Sequence, residues 1–322
     1  VPRIDFSDST NGALLLEPQS TNLFPYSNDF SQWDSLSGAS VINNALVSPD
    51  GTLNADEFVF DGTDNGRVED PVSTTNGLVY TFSIYLKNKD LSDVTQVWIG
   101  FSQTAQGQFV TITNEWQRFT TTQTANGTSE YPRVNYNGVG SLYAYGAQFE
   151  QNSFSTSIIP TSGSTVTRLA DVCNNSGSAQ DFNSEEGVLY AEIAALADDL
   201  TNRFISLTDG TGSNSVTIFY GGASNRIRTE IKSGAVTQAN LLTTSYPITN
   251  FNKIAVKYKG NDFALWVNGV EVATDTSGST PIGLNDLSFN RSGSETFFGK
   301  IKNLQVFTTA LTDEQLAALT TI

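Results

Sequence analysis

Histidine and methionine are absent from this 322-residue chain, and cysteine occurs once, as Cys173. Without histidine there is no Ser-His-Asp or Cys-His catalysis, no imidazole general base and no ordinary zinc site. A single cysteine excludes an intramolecular disulfide and any metal site built on several thiolates. Charge is sparse and one-sided: 17 Lys and Arg stand against 33 Asp and Glu, a formal net charge of −16. So acidic a surface repels phosphate backbones, which excludes nucleic acid as a partner and disfavours anionic membranes and polyanions. No apolar run reaches the ~18 residues of a membrane span, so no membrane insertion is expected. A chain that starts at Val1 and has no methionine reads as a processed or excised product.

What is present in quantity is Ser, Thr, Asn and Gly, together with 20 Phe and 11 Tyr. Asn-Gly pairs begin at Asn11, Asn65, Asn76, Asn126, Asn137 and Asn268, and Asp-Gly pairs at Asp50, Asp61 and Asp209. Such pairs readily take the positive φ of two-residue hairpin turns. Between them lie alternating segments such as YTFSIYLK (80–87), TQVWIGFS (95–102), FNKIAVKY (251–258) and DFALWV (262–267). Many short strands joined by tight turns predict an all-β chain of two β-sandwich (jelly-roll) domains. YAEIAALADDL (190–200) is helical by propensity, but alternation of Leu189, Ala191, Ile193 and Ala195 favours a strand. One short C-terminal helix is expected in ALTDEQLAALTT. There Thr312 and Gln315 are spaced as a capping box, and Leu311 and Leu316 as a hydrophobic staple.

The Ser/Asn/Gly-rich stretch 161–187 has little periodicity and separates two strand-rich halves. The expected division is an N-terminal arm over 1–22, a sandwich over 23–165, a linker over 166–184 and a second sandwich over 185–322.

KIAVKYKGNDFALWVNGVEVATD (253–275) and FFGKIKNLQVFTTALTDEQLAAL (297–319) resemble laminin-G-like, or concanavalin-like, jelly rolls. That fold serves sugar binding, protein binding and catalysis alike. NDFSQWD (28–34), GLVYTFSIYLKN (77–88), EWQRFTTTQTA (115–125) and SLYAYGAQFEQ (141–151) resemble carbohydrate-binding-module sandwiches. PRIDFSDSTNGALLLEPQSTN (2–22) and SIIPTSGSTVTRLADVC (157–173) are similar to recurring pieces of bacteriophage tail-fibre and virion-fibre proteins. The resemblance implies a protein of the virion surface, or otherwise extracellular, usually a homo-oligomer and most often a trimer. Its implied partner is a host-surface glycan or a neighbouring virion protein. Leu14, Leu15 and Leu16 are then candidates for an oligomerising arm, with an ordinary first edge strand as the alternative.

Candidate binding residues follow from strand alternation. Val97, Ile99 and Phe101 share one face, which leaves Gln96 and Trp98 on the other; Phe82, Ile84 and Leu86 likewise leave Tyr85 outside. Phe263, Leu265 and Val267 place Trp266 outward beside Asn268. An outward Trp is a stacking platform for a sugar ring unless a loop, domain or subunit covers it. Trp33 and Trp116, each beside a turn, are expected in the core.

No cofactor is expected apart from a candidate structural calcium ion at the Asp-rich loops, with Asp61, Asp64, Asp209 and Asp275 as ligands. Asp and Asn also favour turns for purely local reasons, which is the stronger explanation of those loops. RIRTEIK (226–232) resembles the Arg-Thr-Glu strand of jelly-roll alginate lyases, but the chain has no histidine and no matching Tyr-Lys-x-Gly-x-Tyr strand. Arg226, Arg228, Glu230 and Lys232 are better explained as the solvated side of a strand whose inner side is Ile227, Thr229 and Ile231. No enzyme is expected. The leading expectation is a fibre component that attaches to a host surface. The alternatives are a structural capsid or tail decoration, and the binding module of a secreted polysaccharide-degrading enzyme.

Overall fold

The computed structural model describes residues 3–8, 10–63, 65–90, 94–101 and 107–322. The chain divides into two compact units, Gln19–Leu169 and a second that unites the residues up to Pro18 with Ala170–Ile322. The first unit is thus inserted, in sequence, into the second.

Gln19–Leu169 is a sandwich of two five-stranded antiparallel sheets. One runs Gly107–Thr111, Gln96–Gly100, Arg133–Asn135, Arg67–Glu69, Ser35–Ser37; the other runs Gln117–Thr124, Val79–Asn88, Val139–Glu150, Leu53–Asp61, Ala39–Val47. Their inner faces share a core in which Val68, Val97, Ile99 and Val134 of the first sheet meet Phe58, Phe82, Ile84 and Leu142 of the second. Phe24, Phe30 and Trp33 close one part of it, with Trp33 stacked on Phe24 at 4.6 Å. Trp33 is therefore a core aromatic as expected. Trp116 is not: it stays half-buried and donates Nε1–H to the Val47 carbonyl at 3.2 Å. It stands just before the strand Gln117–Thr124, where the chain has not yet entered the sheet.

The second unit packs a seven-stranded sheet on a five-stranded one. The larger runs Arg3–Asp5, Ala13–Leu16, Gly299–Phe307, Glu186–Ala195, Asn252–Lys259, Phe263–Val267, Val270–Asp275. The smaller runs Val236–Thr243, Ile227–Ser233, Ser215–Tyr220, Arg203–Thr208, Asp286–Ser288. YAEIAALADDL begins as a strand, because alternate residues Leu189, Ala191 and Ile193 can all enter the core. In Ile227–Ser233 the buried residues are Ile227, Thr229 and Ile231, with Arg228 and Glu230 half-buried opposite them. The Asn268-Gly269 hairpin takes φ of 52° and 85°, the double left-handed turn that matches strand twist.

The opening apolar segment is not a separate arm. Ala13–Leu16 hydrogen-bonds to Arg3–Asp5 on one side and to Gly299–Phe307 on the other. Leu16 is buried in the core of this unit, Leu14 packs against it, and Leu15 lies half-buried on the opposite face. The reason is twofold: Gly299–Phe307 needs its free backbone edge paired, and Leu16 has an apolar interior within reach. Lys300 holds the hairpin through Asp5 and Asp8, at 2.7 and 2.6 Å. The rest of the stretch expected as arm, Ser20–Asn22, pairs with Val166–Arg168 inside the sandwich. The expected linker over 166–184 is accordingly shared out: its first residues form that strand, and Ser176 exchanges backbone hydrogen bonds with Leu287 at 3.1 and 2.8 Å.

The C-terminal helix Asp313–Thr320 forms as its sequence predicts, with the reciprocal Thr312–Gln315 capping box in place. Leu316, Leu311 and Leu319 lie on Val188, Tyr190, Ala255 and Trp266, a small core on the outer face of the seven-stranded sheet. We expect Leu316→Ala to cost this unit about 2–4 kcal/mol and Thr312→Ala about 1 kcal/mol. Denaturant unfolding checks both, and an L316A loss below that of T312A would show that the helix is not held by this contact.

Candidate functional site

Strand alternation turns Trp98 to the outer face of its sheet, as expected, and the pairing register then builds a site around it. Trp98 stands opposite Phe109 on one neighbouring strand and opposite Asn135 on the other. One row across three strands therefore carries two aromatic rings and an amide. The next row pairs Gly100 with Gly107 and with Arg133. Gly107 is required there: a Cβ on it would come within 2.2 Å of Trp98 Cζ2, so the glycine leaves room for the indole to lie across the adjacent strand.

These residues line an open groove of about 500 Å³. Its aromatic side is Trp98, Phe109 and Tyr136, and its polar side is Gln96, Arg133, Asn65, Asn135 and Asn137. Phe109 is 70% exposed, an unusual position for a phenylalanine with no covering segment among the described residues. The Arg133 guanidinium lies over the Trp98 ring, 5.2 Å from its centroid. The amides are linked in series: Asn135 Nδ2 donates to Asn65 Oδ1, and the Asn65 backbone N–H donates to Asn137 Oδ1, both at 3.1 Å. Asn135 Oδ1 and Arg133 Nε are buried and have no hydrogen-bond partner among the described residues. A buried acceptor and a buried donor without partners are costly.

Sequence reasoning named Trp98 and Gln96 here and missed the others. Asn65 and Asn137 were legible as turn residues, and Asn65 does take a left-handed φ of 63°. Phe109 could have been found from alternation with the buried Val110. Arg133 and Asn135 carried no local signal, because their strand is only three residues long.

Tyr85 does not join this site. It lies on the outer face of the opposite sheet, half-buried beside Tyr145 with ring centroids 6.1 Å apart and under the Arg118 guanidinium at 5.7 Å. Arg118 is in turn tied to the Thr156 carbonyl at 2.7 Å, so that face is dressed by a returning segment. Trp266 is no platform either. It does face away from the main core, but the C-terminal helix covers it and leaves it 7% exposed. Asn268 is occupied in its turn: its Oδ1 accepts Lys253 N–H and its Nδ2 donates to Asn252 Oδ1, each at 2.9 Å.

The acidic calcium candidates do not converge. Asp61 Oδ1 accepts the Thr63 N–H at 2.8 Å, and contact with Thr63 holds the carboxyl below its ordinary pKa. Asp275 Oδ1 accepts both the N–H and hydroxyl of Ser277 at 3.0 Å. Asp209 accepts from Thr211 and Asn214 at 2.8–2.9 Å; partial burial opposes its ionisation, but these bonds outweigh it and its pKa falls. All three serve local turns, and no cluster of three acidic or cysteine side chains occurs among the described residues. Asp64 lies outside the described residues. Asp209 borders a polar groove of about 460 Å³ that includes Asp286 and Asn290.

Two other carboxyls of the sandwich stand out. Asp56, 1% exposed, is pushed up to about 6 by burial, despite accepting the Asn44 and Phe30 N–H groups; the Asp29 charge adds to the rise. Asp70 is likewise raised to about 6 by burial, despite the Asp34 N–H, with the Asp34 charge adding to the effect.

Residues 189–317 match the Concanavalin A-like lectin/glucanases superfamily. Among solved structures the chain is similar to the Ruminococcus gnavus IT-sialidase CBM40, at 18% identity and a TM-score of 0.39, over 47% of this chain and 96% of that one. It is similar to a leech intramolecular trans-sialidase, at 21% identity and 0.38, over 47% of this chain and 27% of that one. A third similarity, to domains LG4-5 of the mouse laminin alpha1 chain, has 8% identity and 0.31, over 97% and 96%. No curated protein matches the chain. The all-β, jelly-roll fold class is thus established, with a lectin-like jelly roll in the C-terminal half.

The raised carboxyls give a pH dependence with a definite sign. In the folded sandwich Asp56 and Asp70 keep their protons up to pH ~6, whereas unfolded carboxyls release theirs near pH ~4. Between those values the native state binds more protons, so stability falls as pH rises through this window, by on the order of 2 kcal/mol per group. Urea unfolding of the chain at pH 4.5 and 7.5 tests this, with Asp70→Asn expected to flatten part of the slope. A sandwich equally stable at both pH values, with and without D70N, would contradict it.

Proposed function

We propose that the chain is a non-enzymatic glycan-binding protein, and that the outer face of the sheet carrying Trp98 is its binding surface. The observation that carries this is the groove itself: exposed and half-buried aromatic rings set beside a series of amides and one guanidinium group. Sugars present apolar C–H faces and directional hydroxyl groups together, and this pairing of rings with fixed amides complements both. Hydrolysis of a glycosidic bond ordinarily uses two carboxylates flanking it, and the described lining of the groove holds none. The lectin-like jelly roll in the same chain supports a binding role.

The finer reading is attachment of a bacteriophage virion fibre to its host surface. The resemblance of residues 2–22 and 157–173 to tail-fibre pieces supports it. A shallow groove binds weakly by itself, and repetition on a homo-oligomer would raise the effective concentration and convert weak contacts into avidity. That placement also sets the protein on the virion surface or outside the cell.

A glycan array probed with the full chain, followed by titration of the best hit, tests the proposal. Trp98→Ala is expected to weaken binding at least tenfold, about 1.4 kcal/mol or more. Phe109→Ala should weaken it with unchanged stability, since an exposed side chain holds little of the fold. Tyr85→Ala, on the opposite sheet, should leave affinity unaltered. Binding that survives W98A and F109A would remove the groove from the function and favour an assembly contact instead.

A further inference from the structure

We propose that the Trp98 groove takes an acidic sugar, one whose ring carries a carboxylate, set in an otherwise neutral glycan. This rests on the groove being a glycan site, and it adds the class of sugar. The warrant is a local inversion of charge. The chain carries −16 overall, yet the described lining of this groove includes one cation, Arg133, and no carboxylate.

The cation is held in a way that leaves it with unused capacity. Arg133 stands across the strand pair from Glu69 and meets it through Nη1 at 3.3 Å. Arg67 takes the other oxygen of the same carboxylate, through Nε at 2.8 Å. One buried carboxylate is therefore shared by two guanidinium groups, and the cluster keeps a net positive charge. The Arg133 contact is longer than the ~2.7–2.9 Å of a good charge-assisted hydrogen bond, and it engages Nη1 of the guanidinium. The cation–π contact with Trp98, 5.2 Å from guanidinium carbon to ring centroid, holds the guanidinium at the groove. A planar donor fork, positioned in advance and incompletely used, is suited to a carboxylate. A pyranose ring resting on Phe109 could turn its carboxylate to Arg133 and its hydroxyls to the amides that line the groove.

The surplus of acid elsewhere restricts the charge density of the ligand. Exposed charges interact appreciably only within about a Debye length, ~8 Å at physiological ionic strength. A polymer charged on every residue would therefore meet the acidic remainder of the surface, whereas isolated acidic residues meet mainly Arg133.

The test is a glycan array carrying matched acidic and neutral pairs, each acidic member with a single carboxylate, among them a glucuronate-capped lactose with its methyl ester and 3′-sialyllactose with lactose, probed with the full chain and its variants. At least one acidic member is expected to bind about tenfold or more tightly than its neutral partner. Trp98→Ala should abolish both, Arg133→Gln should erase the preference, and Arg133→Lys, which keeps the charge without the fork, should keep part of it. Circular dichroism of each variant identifies any loss that comes from misfolding, and R133K then carries the comparison. Equal affinity within every pair, or a preference that survives R133Q, would overturn the acidic-sugar inference and leave the glycan surface standing. Absence of any Trp98-dependent binding across the array would overturn both.

Discussion

Burial of one face of each sheet against its partner is the constraint on which the rest of the molecule depends. In the sandwich, Val97 and Ile99 meet the Phe82 and Ile84 side of the opposite sheet, and this contact selects one of two possible settings for every strand. A slip of one residue would drive Trp98 and Gln96 inward and put Val97 and Ile99 in water, exchanging whole faces at once. The proposed binding surface is the complement of the core. Trp98, Phe109 and Asn135 form a row outside because their chain neighbours Val97, Val110 and Val134 all point into the core.

The outer faces of the sheets have different fates, decided by what the chain has left to lay on them. The C-terminal helix covers the outer face of the seven-stranded sheet around Trp266. In the sandwich, Arg118 and the segment near Thr156 dress the sheet that carries Tyr85. Around Trp98 no described segment supplies such a cover, and Phe109 remains open. An apolar patch left uncovered by the described residues while its equivalents are sealed is the reason the proposed binding surface is placed there.

Electrostatics adds a second level of organisation. Buried ionic groups are handled by sharing: Glu69 serves Arg67 and Arg133, and Arg3 meets both Glu17 and Asp171. Carboxyls with only backbone donors, such as Asp56 and Asp70, keep their protons to higher pH, because desolvation is not repaid by a counter-charge. The same economy leaves Arg133 partly unspent beside an aromatic surface.

The sequence by itself determined the fold class, the period of each strand and the ends of the last helix, since these are local properties. Alternation in 80–87 and 95–102 fixes which residues share a face, and Thr312 with Gln315 fixes a helix start within one turn. It also determined that Trp98 and Trp266 both face away from their cores. Only the tertiary structure decided that one of them is a groove wall and the other a buried contact, because coverage depends on a helix fifty residues away from Trp266 in the chain. The tertiary structure likewise turned Leu14–Leu16 from an arm into an inner strand, since the free edge it fills belongs to Gly299–Phe307. Arg133 and Asn135 became site residues through pairing with Gly100 and Trp98, a long-range register that no window of sequence contains.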